Sequence, residues 1–102
     1  MEAPWVFGSS ERRLLSFTIL FTPKAAKSLR KLQRSIGERV VLSLRLLEES
    51  PEGGEQLKPS RFWKMRVGDY RAIYEIDRSS SRVIVLFVGH RKNVYDDFSK
   101  LV

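Results

Sequence analysis

Residues 62 to 76 read FWKMRVGDYRAIYEI, and that run has few ways to fold. Phe62–Val67 alternates with the period of a strand: Trp63, Met65 and Val67 on one side, Lys64 and Arg66 on the other. The alternation resumes at Tyr70, with Tyr70, Ala72, Tyr74 and Ile76 on one face and Arg71, Ile73 and Glu75 on the other. Only Gly68 and Asp69 stand between them, a two-residue connection with glycine first that suits a type II′ turn. So short a turn sets the register. Val67 opposes Tyr70, and Arg66 and Arg71 become near-opposite neighbours.

The rest of the chain supplies what this hairpin packs against. Ser16–Phe21 (SFTILF) is aromatic and β-branched, and reads as a first strand. Thr22-Pro23 is a helix start: a threonine able to cap free N–H groups, then a proline at the first helical position. Ala25, Leu29, Leu32 and Ile36 recur at helical spacing as a buried stripe. Gly37 reads as the break, with a second helix over about Glu38–Glu49 whose apolar set is Val40, Val41, Leu44 and Leu47, widened by Leu42 and Leu46. Ser50–Ser60, holding two prolines and two glycines, reads as the main loop. Past the hairpin, Val83–Val88 (VIVLFV) is apolar throughout, as an interior strand covered on both faces would be, with the first strand beside it.

At 102 residues the chain fits one domain. The expected fold is α+β, a compact β-αα-βββ unit: an antiparallel meander sheet, a helical hairpin on one face and a short C-terminal helix over Val94–Leu101. Residues 1–15 show no period and read as an N-terminal extension, disordered in part; residues 16–102 form the domain.

Composition narrows the function classes. Nineteen Lys and Arg against twelve Asp and Glu give a net charge of +7. In so small a domain this points to a polyanionic partner, nucleic acid first; the plainer reading is a charged, solvated surface. Without cysteine there are no disulfides and no thiolate metal sites. No apolar run approaches the roughly 20 residues that span a bilayer, and the acidic start of the chain is unlike a secretory signal. The expectation is a cytoplasmic protein with no membrane partner. One histidine, His90, excludes a His-rich metal site or a two-histidine nuclease, and there is no phosphate loop of P-loop spacing.

What remains is a set of cations. Lys64 and Arg66 leave the same strand face, Arg71 faces them across the turn, and Arg91 follows the last strand with Tyr95 four residues on. Like charges on one sheet face repel, and an anion between them relieves the repulsion, so the pattern fits a phosphate site. Each residue also has a bland explanation: a solvated edge strand for Lys64 and Arg66, a surface pair with Glu75 or Asp69 for Arg71, a core aromatic with a wet hydroxyl for Tyr95, and packing for His90. Lys24, Lys27, Lys31 and Arg34 on the first helices, with Lys58 and Arg61, form a second basic set suited to nucleic-acid backbone.

The strings Gly68-Asp69-Tyr70-Arg71-Ala72-Ile73-Tyr74 and Val88-Gly89-His90-Arg91, followed by Val94-Tyr95, resemble the RelE/ParE superfamily of toxins, over about Ser16 to Val102. The resemblance implies the toxin of a type II toxin–antitoxin system, with a RelB-like antitoxin as partner. Its RelE-like branch enters the ribosomal A site and cuts mRNA there, as an endoribonuclease with no metal or other cofactor. It implies catalytic roles for Lys64, Arg66, Arg71 and Arg91, and for Tyr95 as the tyrosine. Arg66 stands where some relatives have lysine, which suits charge stabilisation better than proton transfer. In the implied reaction the 2′-OH attacks the adjacent phosphate. Lys64 is the candidate base, a role that needs its neutral amine, and the like charges of Arg66 and Arg71 favour that form. Some superfamily nucleases use a Glu/His pair, which leaves Glu75 and His90 as backup candidates. The alternatives are a ParE-like inhibitor of DNA gyrase and a non-catalytic RNA-binding module.

Overall fold

The structure is a computed structural model that describes residues 16–57 and 60–94. Its elements run β1 (Thr18–Phe21), α1 (Pro23–Lys31), α2 (Arg34–Arg45), β2 (Glu55–Gln56), β3 (Phe62–Val67), β4 (Tyr70–Asp77) and β5 (Arg82–His90). Short 3-10 turns at Leu46–Glu48 and Pro51–Gly53 lead from α2 into β2. One five-stranded sheet has the order β1-β5-β4-β3-β2.

The hairpin forms as its sequence requires. Val67 pairs with Tyr70 and Arg66 with Arg71. Gly68 sits at φ +59°, the left-handed region that the first position of a type II′ turn demands and that glycine adopts without penalty. The strand β5 lies between β4 and β1, and its interior place explains an apolar run on both faces. The sheet is mixed rather than wholly antiparallel, because β1 runs parallel to β5. The two helices between β1 and the meander carry the chain across one face, which lets β1 return beside β5 in the same direction.

Three expectations need correction. The helix break lies at Leu32–Gln33, where the backbone is extended, and Gly37 is inside α2. A Cβ at Gly37 would sit an ordinary 3.7 Å from the Leu29 carbonyl oxygen; glycine here costs about 1 kcal/mol of propensity, and the helix tolerates it. Leu42 and Leu46 do not widen the buried stripe. They are 65% and 69% exposed, because the face of α2 that meets the sheet is spanned by Val40 and Leu44. Thirdly, the Ser50–Ser60 loop contains β2, a two-residue edge strand antiparallel to β3, so the order is β-αα-ββββ. The expected helix over Val94–Leu101 and the extension at 1–15 lie outside the described residues.

Thr22 shows how local chemistry joins the layers. Its hydroxyl accepts from the Ala25 amide at 3.2 Å, capping α1, and donates to the Leu86 carbonyl at 3.3 Å. The first helix then packs against β5 and the second against β3. Ile19, Val40, Leu44, Tyr74 and Val85 are fully or almost fully buried between helices and sheet. A smaller cluster of Phe62, Ile73, Phe87 and Val94 occupies the opposite face. A register shift opposite Ile73/Tyr74 leaves Leu86 as an extra residue in β5. The bulge lets Val83, Val85 and Val88 all face the helices, although strict alternation forbids it.

Candidate active site

The cations converge at the open edge of β3. Since β2 pairs with β3 only through Glu55↔Lys64 and Gln56↔Trp63, no described strand pairs with the edge from Met65 onward. A cleft of about 390 Å³ opens there, lined by Gly53, Gly54, Glu55, Lys64, Met65, Arg66 and Arg71. Alternation along β3 sends Lys64 and Arg66 away from the helices, and the two-residue turn brings Arg71 opposite Arg66.

Each cation is held differently. The Lys64 side chain is 28% exposed, with its Nζ 3.4 Å from Glu55 Oε1. Arg71 turns toward the hairpin: its Nη1 donates to the carbonyls of Gly68 at 2.7 Å and Tyr70 at 2.9 Å. Arg66 is exposed and has no side-chain hydrogen bond or ion pair among the described residues. Arg91 joins the same turn, with its amide donating to the Asp69 carbonyl at 2.8 Å and its Nε 3.7 Å from Asp69 Oδ1. Gly68-Asp69 thus gathers Arg71, from β4, and Arg91, from just past the end of β5.

Glu55 is the cleft residue that sequence reasoning missed. It lay in a segment read as loop, and its only signal was an acidic residue immediately after Gly53-Gly54, a few residues ahead of the basic strand. The turn that precedes it is bonded to Tyr74. The Tyr74 hydroxyl is buried, accepts from the Gly54 amide at 3.0 Å and donates to the Pro51 carbonyl at 2.9 Å. Burial raises the Tyr74 phenol to about 12, against the opposing effect of the Gly54 hydrogen bond.

The structure does not unite the backup pair. Glu75 bonds Arg61 at 3.0 Å, and neither residue lines the cleft. His90 meets the Tyr70 ring edge-on at 5.4 Å, and its Nδ1 accepts from the Lys92 amide at 3.1 Å. Of the second basic set, Lys24, Lys27 and Lys31 are exposed along α1, with Lys24 Nζ 5.0 Å from the centre of the Phe87 ring. Arg34 pairs with Glu38 at 3.2 Å, and Arg61 also lies over Phe62. Lys58 and Tyr95 fall outside the described residues. Among the described residues no group of three or more His, Asp or Glu is arranged to hold a metal ion, and no helix is long and apolar enough to cross a membrane.

The comparisons with known proteins identify the family of this fold. Residues 19–95 match the family model of the ParE toxin of the type II toxin–antitoxin system parDE. Among solved structures, the chain is similar to the toxin–antitoxin complex RelBE2 from Mycobacterium tuberculosis, at 30% identity and a TM-score of 0.69, covering 79% of this chain and 98% of that one. It is similar to a mutant of the Escherichia coli toxin RelE in the free state, at 26% identity and a TM-score of 0.70, covering 85% and 97%. The YoeB/ParE toxin from Agrobacterium tumefaciens shares the fold at 15% identity and a TM-score of 0.59, covering 71% and 95%. No curated protein matches the sequence. The chain belongs to the RelE/ParE superfamily, the toxins of type II toxin–antitoxin systems.

Proposed function

We propose that this toxin is an endoribonuclease of the RelE type, cutting mRNA in the ribosomal A site without a metal. The observation that carries the reading is the cleft itself: Lys64, Arg66 and Arg71 line one cavity at an open sheet edge, with a carboxylate at its rim. RNA carries both the nucleophile and the leaving group. The 2′ oxygen bonds to the adjacent phosphorus, the P–O5′ bond breaks, and the products are a 2′,3′-cyclic phosphate and a 5′-OH. The protein must remove the 2′ proton, offset charge on the phosphorane oxygens and protonate the 5′ oxygen.

Arg66 and Arg71 supply the charge, as planar donors that match a phosphate. Arg91, held by the turn beside Arg71, extends the clamp toward the next phosphate. Lys64 remains a candidate for proton transfer. Glu55 adds a second acceptor, a carboxylate whose Oε1 lies 3.4 Å from Lys64 Nζ. In this division of labour Glu55 receives the 2′ proton and Lys64 serves the leaving oxygen. Tyr95 takes the stacking role implied for the family tyrosine, and Lys24, Lys27 and Lys31 contact ribosomal RNA backbone. A RelB-like antitoxin is the proposed partner, since solved relatives include RelB–RelE complexes.

A second reading, inhibition of DNA gyrase, has one observation in its favour: the matching family model is that of a ParE toxin. Translation of a defined mRNA in vitro separates the two. Ribosome-dependent cuts that disappear in Lys64→Ala and Arg71→Ala support the nuclease. Intact mRNA together with inhibited gyrase replaces it with the ParE reading.

A further inference from the structure

The cleft has one wall that the sheet alone does not hold. Glu55 and Gln56 are exposed and joined to β3 by a two-residue ladder, which is too little burial to fix an edge strand unaided. On the far side of this segment the Leu57 amide bonds the Phe62 carbonyl, and Glu52 pairs with Arg78, while the turn just before Glu55 is held by Tyr74, two residues beyond Ala72 on β4. Its hydroxyl reaches past β3 to both ends of the Pro51–Gly54 turn: it donates to the Pro51 carbonyl and accepts from the Gly54 amide. Gly54 fits because it lacks a side chain. A Cβ there would run into the Lys64 carbonyl oxygen and lie 2.6 Å from the Tyr74 hydroxyl. The next residue is Glu55, directly opposite Lys64.

We propose that Tyr74 is a positioning residue for the reaction: its hydroxyl straps Pro51–Gln56 against β3 and so sets Glu55 facing Lys64 across the cleft. This rests on the nuclease reading above. Tyr74 never meets the substrate, because its side chain is buried on the helix face of the sheet. Phenylalanine at position 74 keeps the packed ring and deletes only the strap.

The test is a cycle of four proteins, wild type, Tyr74→Phe, Glu55→Gln and the double variant, in single-turnover cleavage of mRNA on programmed ribosomes. The expected result is about a ten-fold fall in the maximal rate for Tyr74→Phe, with the half-saturating ribosome concentration unchanged. Against a Glu55→Gln background the same substitution should change the rate less than two-fold, since coupled residues are non-additive. Amide hydrogen exchange at Gly54 should quicken at least ten-fold in Tyr74→Phe. Gly54→Ala, which pushes the strap off by the Cβ collision, should reproduce the rate loss in a protein that keeps its tyrosine.

An equal rate loss in both backgrounds, an undiminished Tyr74→Phe, or unchanged Gly54 exchange overturns the positioning role while wild-type cutting stands. A wild type that leaves ribosomal mRNA whole overturns the nuclease reading, and the role with it.

Discussion

Replacing Arg66 with glutamine should make the protein more stable and less active. Arg66 and Arg71 are directly opposite in the β3–β4 register, and like charges so placed cost about 0.2–1 kcal/mol. Two features put the value in the lower half of that range. Arg66 is exposed to screening solvent, and Arg71 is drawn aside by the Gly68 and Tyr70 carbonyls. Arg66 makes no described hydrogen bond or ion pair that the change would sacrifice. A gain of roughly 0.4 kcal/mol raises the melting temperature of a domain this size by about 2–3 °C. Thermal unfolding at low salt measures the gain, and at about 0.5 M salt the gain should shrink as the repulsion is screened. Ribosomal cleavage by the same variant should fall, since the proposed phosphate ligand is gone. A lowered melting temperature, a salt-independent gain, or undiminished cutting would show that the arginine pair is not an anion site held against repulsion.

Other consequences follow from the same structure. Tyr74 is raised to about 12 in the fold from an ordinary phenol near 10, so its contribution to stability is complete below pH 10 and drains away as the pH climbs through 12. Urea unfolding across that window should show the slope in wild type and lose the Tyr74 part of it in Tyr74→Phe. Leu44 is fully buried beneath α2, and Leu44→Ala should cost about 2–5 kcal/mol in denaturant unfolding. Gly68→Ala forces a side chain into φ +59° and should cost about 1–2 kcal/mol by the same measurement.

Much of this was legible in the sequence, and what was missed has physical causes. Strand β3 and its pairing with β4 follow from a two-residue turn and strict alternation, which leave one register. Thr22-Pro23 marks a helix start because capping chemistry is local. The break between the helices was misplaced because glycine propensity is a weak prior; Leu32 and Gln33 turn the chain for tertiary reasons that no residue type announces. The bulge at Leu86 is hidden in an apolar run, where alternation carries no signal. The cationic half of the site was readable, since Lys64, Arg66 and Arg71 sit on elements whose register the sequence determines. The acidic half was not. Glu55 faces Lys64 across an edge pairing that follows a turn bonded to a tyrosine twenty residues past Gly54 in the chain, and such contacts exist only in the fold. Glu75 and His90 are close to the basic residues in sequence, yet the fold sets them apart from the cleft, Glu75 against Arg61 and His90 against Tyr70.

The most direct test of the nuclease claim is the position and chemistry of RNA ends in a purified translation system. The account predicts cuts within the A-site codon of ribosome-bound mRNA, leaving 2′,3′-cyclic phosphate and 5′-OH ends, present with wild type and missing with Lys64→Ala. Cuts that bear 3′-OH and 5′-phosphate ends, or mRNA that stays whole while the toxin arrests gyrase, would contradict it.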